Sequence, residues 1–306
     1  MKEVNIIDYS SWLPYDGFAE GSGRSEKLWL QSADGEIGLF KFPKVDPDTL
    51  EVTTEHVSEH LAHRIGTILG IKTARVEIGT YDGRVGCMSY LINKKYEAIV
   101  EGAIFITGKH PDYDMDLMQE TSTGRYYCLD HLLEVTDSPG VLKKWLQMML
   151  FDYLIGNSDR HQNNWAFLVK YAGADRRTLL ARVCPLYDNG SSLCCYVNEK
   201  IIQEFLGKDI TRFEALTNTK SRSMIRIDGF KKKRPTHVEV VEELIKRYPE
   251  TVEICKLIIS KMSDEVIDDL IDVYDGILSA NKIMLLKKYL KRKIEILKQI
   301  SDEVSL

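Results

Sequence analysis

Asp159 and Asn164 stand five residues apart in the run GNSDRHQNN at 156–164, directly after a long apolar stretch. A polar run breaking out of a buried helix is costly unless its groups meet a ligand or one another. This spacing lets a carboxylate face an acceptor hydroxyl while an amide oxygen reaches a metal ion, as phosphoryl transfer requires. Taken alone, the run reads equally well as a helix C-terminus whose Asn and Asp residues cap and turn.

A second segment shifts that balance. Asp188 ends the apolar run VCPLY at 183–187 and is followed by Asn-Gly. A carboxylate on such a turn can reach a cation shared with nucleotide phosphates, although Asp-Asn-Gly also makes a plain hairpin turn. Magnesium takes one or two protein carboxylates together with carbonyl-type oxygens, phosphates and water. Asn164 and Asp188 offer such a pair, with a two-strand segment expected at 165–184 between them.

A third segment is glycine-rich. AEGSGRSEK at 19–27 places Gly21, Ser22, Gly23, Arg24 and Ser25 before a strand. Glycines let backbone N–H groups approach phosphates, and the serines add donors. The segment is not a P-loop, and a flexible turn has the same composition. Lys41 follows between Phe40 and Phe42, where a half-buried lysine needs a carboxylate. Glu55 and Glu59, one helical turn apart on the next helix, are the candidates, although a lysine snorkelling to the surface would need neither.

These residues need elements to hold them. Alternating runs at 28–31 and 37–42, joined by SADG at 32–35, predict a hairpin. Val57, Leu61, Ile65, Ile68 and Leu69 share one face of a helix over 53–70, ending at Gly70. Strands are expected at 74–78 and 86–92, around the turn YDGR at 81–84. From about residue 100 helix dominates: 141–155, 237–247, 251–259, 264–274 and 281–300. The expectation is an α+β bilobal fold, with a small β-rich lobe over 1–92 and a larger helical lobe over 93–306.

Composition narrows the function classes. The chain has 306 residues, 44% of them apolar, and a net charge of −5. That acidic balance speaks against a nucleic-acid-binding surface and gives no support to direct DNA binding, leaving only local basic stretches at 231–234 (KKKR) and 287–298. The six cysteines, at 87, 128, 184, 194, 195 and 255, lack zinc spacing. No apolar run reaches the roughly 18 residues of a membrane span, and no signal-peptide pattern opens the chain. A cytoplasmic protein is expected.

With these motifs in order, the chain resembles the HipA-like serine/threonine kinases, in a compact form that begins almost directly at the kinase lobe. The resemblance rests on GNSDRHQNN, PLYDNGS at 185–191, GSGRSEKLWL at 21–30 and FKFP at 40–43, and spans about residues 19–195. It implies Asp159 as catalytic base, Asn164 and Asp188 as magnesium ligands, and Lys41 as the ATP-phosphate lysine with Glu59, rather than Glu55, as its partner. His161 and Tyr187 fall beside the nucleotide, and Met88, Ser89 and Tyr90 belong to a hinge receiving adenine through backbone groups. Autophosphorylation at Ser22 or Ser25 is implied as well. Implied cofactors are ATP and Mg2+. Implied partners are a protein substrate, such as a translation factor or an aminoacyl-tRNA synthetase, and an antitoxin protein; secreted effectors occur among compact relatives. The DRHQNN run also resembles phosphatidylinositol-type kinase loops, and small-molecule kinases share its Asp-to-Asn spacing. A pseudokinase used as an interaction module is the alternative from another class.

Overall fold

The computed structural model describes residues 4–17, 26–136, 138–172, 178–207 and 209–304. The predicted glycine-rich loop residues Gly21, Ser22, Gly23, Arg24 and Ser25 lie outside the described residues.

The smaller lobe is built on one curled sheet. It is built from β1 (Ile7–Asp8), β2 (Leu13–Pro14), β3 (Lys27–Gln31), β4 (Ile37–Lys41), β5 (Val76–Tyr81) and β6 (Arg84–Tyr90), in the order β1-β5-β6-β4-β3-β2. All pairings are antiparallel except β1 with β5. In β4, Gly38 and Phe40 are buried while Ile37, Leu39 and Lys41 are half-buried, the period of two that the hairpin pattern predicted. Between β4 and β5 runs α1 (Glu55–Leu69), which Gly70 ends in the left-handed conformation at φ 69°, its N–H returning to the Gly66 and Thr67 carbonyls.

The larger lobe opens with β7 (Ala98–Glu101), α2 (Gly102–Lys109), β8 (Tyr113–Asp114), β9 (Gln119–Glu120) and α3 (Leu129–Glu134). Its central helix is α4 (Pro139–Ile155), started by a proline at its first turn. Trp145, Leu146, Met148, Met149 and Leu150 through Ile155 are all buried, so α4 is covered on every side along its second half. β10 (Ala166–Ala172) and β11 (Thr178–Val183) form a hairpin that β7 extends into a three-stranded sheet, β11-β10-β7. The remainder is helical: α5 (Glu199–Leu206), α6 (Ile210–Thr217), α7 (His237–Arg247), α8 (Glu250–Lys261), α9 (Asp264–Asp272) and α10 (Ala280–Val304). A reciprocal Thr236–Glu239 capping box starts α7.

The sequence reading missed β7, and its hinge is displaced. The hinge was expected at Met88, Ser89 and Tyr90, but these residues are still strand. Met88 pairs with both Phe40 and Glu77, the Tyr90 N–H donates to the Arg75 carbonyl at 3.0 Å, and the Leu91 N–H donates to Ile37 at 3.0 Å. With those donors spent inside the sheet, the connection between lobes begins only after them, over 92–97. The Met88 side chain is fully buried with Tyr9, Leu30 and Phe40, away from the inter-lobe cleft.

Candidate active site

Two left-handed turns aim the reactive loops. Gly156 ends α4 at φ 67°, and a Cβ there would run into the Tyr289 hydroxyl, so the chain can turn into 157–164 only through glycine. Asp188 itself stands at φ 56°, a conformation that Asp tolerates better than most residues. Both turns open into a cleft of ≈ 680 Å³ between the lobes, lined by Lys41, Glu59, Asp159, His161, Asn164 and Asp188 among others. Ser89, Tyr90 and Tyr187 also border it, with an apolar wall of Trp29, Leu39, Leu91, Ile92 and Ile99.

Lys41 joins the two sides. Its Nζ donates to Glu59 Oε1 at 2.6 Å and to Asp188 Oδ1 at 2.8 Å. The other Glu59 oxygen accepts the Asn189 N–H at 3.0 Å, so one carboxylate positions both the lysine and the turn carrying Asp188. Glu55 is engaged elsewhere, by Lys44 at 3.0 Å and the Tyr196 hydroxyl at 2.6 Å. Burial opposes the charge on Lys41, but Asp188 and Glu59 outweigh it and hold the ammonium above the usual lysine range. The Lys41 charge in turn lowers Asp188 to about 2, against the opposing effect of burial, so its carboxylate is ionised at neutral pH.

Asp159 lies in the opposite electrostatic setting. Burial raises its pKa, His161 offsets part of that rise, and the Asp188 charge adds to it. A carboxylate pushed upward in a cleft is better suited to accept a proton than an ordinary surface aspartate. Its backbone is fixed on both sides: its N–H donates to Asn157 Oδ1 at 3.0 Å, and its carbonyl accepts Asn164 Nδ2 at 2.8 Å and the His161 N–H at 2.9 Å. Using its NH2 this way, Asn164 keeps its Oδ1 without a protein donor among the described residues. The neighbouring Asn163 Oδ1 is buried and also unpartnered. These amide oxygens and the Asp188 carboxylate are hard donors, a set that fits Mg2+ completed by phosphate and water.

Arg160, to which the sequence reading assigned no role, holds the loop together. It is 1% exposed and donates to both Asp152 oxygens, to the Asn164 and Tyr187 carbonyls at 2.8 Å each, and to Asn189 Oδ1 at 2.6 Å. One guanidinium thus ties α4, the Asp159 loop and the Asp188 turn into one unit. The signal was present in the sequence: Asp152 is a lone carboxylate inside a buried apolar helix and demands a cationic partner.

Outside the cleft, His110, Glu120 and His131 bring ligand-type atoms within 4.8 Å of one another. That cluster already has protein partners. Arg125 donates to Glu120 at 2.6 Å, and the Cys128 N–H donates to His131 Nδ1 at 3.2 Å, which leaves the proton on the histidine nitrogen facing Glu120.

A small curled-sheet lobe and a helical lobe, meeting at a Lys–Glu–Asp bridge and an Asp–Asn loop, define a protein-kinase-like α+β fold. The chain belongs to the HipA-like C-terminal domain family, whose pattern it matches over residues 20–254. It is 26% identical over 230 residues to the serine/threonine-protein kinase CtkA of Helicobacter pylori, an alignment covering 72% of this chain and 65% of that protein. The crystal structure of the H. pylori proinflammatory kinase CtkA superposes with a TM-score of 0.78 at 20% identity, covering 98% of this chain and 99% of that one. HipA in the Shewanella oneidensis MR-1 complex of HipA, HipB and operator DNA matches at a TM-score of 0.55 and 14% identity, over 95% of this chain and 68% of that one.

Proposed function

We propose that the protein is an ATP-dependent serine/threonine protein kinase of the HipA-like type. The observation carrying this reading is the Lys41 bridge between Glu59 and Asp188, facing a half-buried Asp159 across one cleft. Lys41 offers its charge to the phosphates, and Asp159 orients the acceptor hydroxyl and takes its proton as the γ-phosphoryl group transfers in line. Asn164 and Asp188 would hold magnesium, which supplies neutralisation of the phosphate charge. The apolar wall from Trp29 to Ile99 suits a flat nucleobase, and Tyr187, whose hydroxyl donates to the Asn163 carbonyl at 2.8 Å, closes that side.

The rest of the proposal follows the relatives. Ser22 or Ser25 would be the site of autophosphorylation. The HipA relative's structure contains HipB and operator DNA; on that likeness a protein antitoxin partner is proposed here, with a translation factor or an aminoacyl-tRNA synthetase as substrate. The acidic net charge supports no direct contact with DNA. No helix among the described residues is long and apolar enough to cross a membrane. A cytoplasmic location, or secretion as an effector, belongs to this proposal too.

Asp159→Asn is expected to lower transfer of labelled phosphate from ATP by about 10²–10⁴-fold, the range of a lost general base. Asp188→Asn should abolish it through loss of the carboxylate metal ligand. Undiminished labelling in either variant overturns the assignment. Mass spectrometry after incubation with ATP and magnesium locates the modified serine.

A further inference from the structure

The stretch KKKR at 231–234 is not absorbed by phosphoryl transfer, yet it lies against the loop that performs it. Arg234 Nη1 donates to the Ser158 carbonyl, one residue before Asp159, at 3.4 Å. The backbone of this basic stretch is built into place by other arginines. Arg222 donates to the Arg234 carbonyl at 2.6 Å, and Arg226 donates to the Lys231 and Lys232 carbonyls at 3.1 Å each. The Ser223 N–H to Pro235 and Tyr126 N–H to Gly229 bonds close both ends.

The outer side is correspondingly unsatisfied. Lys231, Lys232 and Lys233 are exposed, and Phe230 is 68% exposed. Lys231 has only Asp228, at 3.9 Å, while Lys232 and Lys233 have no carboxylate partner among the described residues. Burial and the Arg234 charge together lower the Arg226 pKa, a sign of crowded like charge. Concentrating cations here, in a chain of net charge −5, costs free energy unless an anionic group covers them.

The other border of the catalytic loop carries exposed apolar side chains on either side of the exposed Asp116. Gln162 Nε2 donates to the Met115 carbonyl at 2.9 Å, and Met115 and Leu117 are 48% and 63% exposed. Asp159 therefore lies between a cationic edge at Ser158 and an apolar edge at Gln162.

Resting on the kinase reading, we propose that these two edges select the acceptor: a peptide with acidic side chains on one side of its Ser or Thr and apolar side chains on the other. Four adjacent cations at 231–234 form one short positive edge on a chain of net charge −5, which offers no broad nucleic-acid footprint. They match a short acidic run well.

The test uses the full chain and fluorescein-labelled peptides with a central serine, flanked by Glu-Glu-Glu, by Lys-Lys-Lys or by neutral residues. Anisotropy should show the acidic peptide binding most tightly, with affinity falling as salt rises from about 50 to 300 mM. The double variant Lys232→Glu/Lys233→Glu should weaken that peptide on the order of tenfold, as two screened ion pairs become repulsions. Its melting temperature and its KM for ATP should stay unchanged. Equal binding of the three peptides, unchanged affinity in the variant, or loss of a single-stranded RNA probe instead of the peptide would overturn the proposal. Binding needs no turnover, so a failure of phosphate transfer in the wild type counts against the kinase reading and not against this surface.

Discussion

Asp188 shows how a single residue couples stability to chemistry. Its left-handed backbone places the carboxylate where Lys41 reaches it, and the same contact keeps it ionised. Its pKa is about 2 in the folded chain against an ordinary 3.8. A carboxylate more acidic when folded adds stability above pH 3.8, and that stability is lost as pH falls from about 4 toward 2. The side chain keeps 46% of its surface open to the cleft, so solvent screening holds the effect to about 1 kcal/mol or less. Urea unfolding of wild type and Asp188→Asn should therefore differ more at pH 6 than at pH 3. A gap that stays constant across this window would remove the Lys41 contact as the source of the shift.

At the level of elements, the loop at 157–164 depends on α10, more than a hundred residues away. Lys293, fully buried on α10, donates to Ser221 Oγ at 3.1 Å; Ser221 meets His237 Nδ1 at 3.0 Å; His237 Nε2 meets the Asn157 carbonyl at 2.9 Å. Donation to that carbonyl puts the histidine proton on Nε2, so Nδ1 accepts from the serine and the serine accepts from the lysine. The Asn157 side chain then takes the Asp159 N–H. Burial lowers Lys293 to about 7 from 10.5, Cys194 offsetting it only in part, and the ammonium lies 4.6 and 5.5 Å from the Tyr153 and Tyr289 ring centroids. The unfolded chain binds this proton up to pH 10.5 and the folded chain only to about 7, so stability rises with pH across that window. Lys293→Met should melt higher than wild type at pH 7, by a few kcal/mol in stability, with the gap closing toward pH 10. A lower melting temperature at pH 7, or a gap independent of pH, would contradict this account. Such long-range ties were not legible in the sequence, because no local spacing pairs Lys293 with Ser221 or His237 with the Asn157 carbonyl. What could be read was local: the β3–β4 hairpin from its alternation, α1 from its apolar face and Gly70, α7 from His237 to Arg247. β7 escaped because Ala98–Glu101 is four residues long and takes its meaning from β10, a partner more than sixty residues away. The hinge that the resemblance implies at Met88, Ser89 and Tyr90 falls within β6, and the Tyr90 and Leu91 hydrogen bonds show where the sheet stops. The cleft residues were readable as types and spacings, whereas the lone Asp152 announced a cationic partner without showing that it is Arg160.

At the scale of the whole molecule, α1 of the smaller lobe shares the larger lobe's interior. Val57, Leu61 and Ile65 of α1 belong to the same buried cluster as Met148 and Ile155 of α4, Ile258 of α8 and Tyr274. Polar bonds follow the same route: Ser58 Oγ to the Ser192 carbonyl at 3.0 Å, His60 Nδ1 with the Tyr274 hydroxyl at 2.8 Å, and the Ala74 N–H to Leu186 at 2.7 Å. The helix carrying Glu59 is therefore anchored in the larger lobe, although its lysine partner stands in the sheet of the smaller one. Burying each large apolar side chain contributes about 1.5–3 kcal/mol, so separating the lobes would expose enough of α1 to forfeit much of a typical domain's net stability. Unfolding should accordingly be a single cooperative event. Trp29 in β3 reports on the smaller lobe, and Trp145 and Trp165 report on the larger. Variants keeping one reporter region at a time, with the other tryptophans replaced by phenylalanine, should give coincident urea transitions by fluorescence. Saturating ATP and magnesium should move both by the same amount, about 2.7 kcal/mol at a hundredfold excess over Kd. With Asp188→Asn that common shift should shrink. Transitions separated by region, or a ligand shift confined to Trp29, would show that the lobes unfold independently and that the shared core does not couple them.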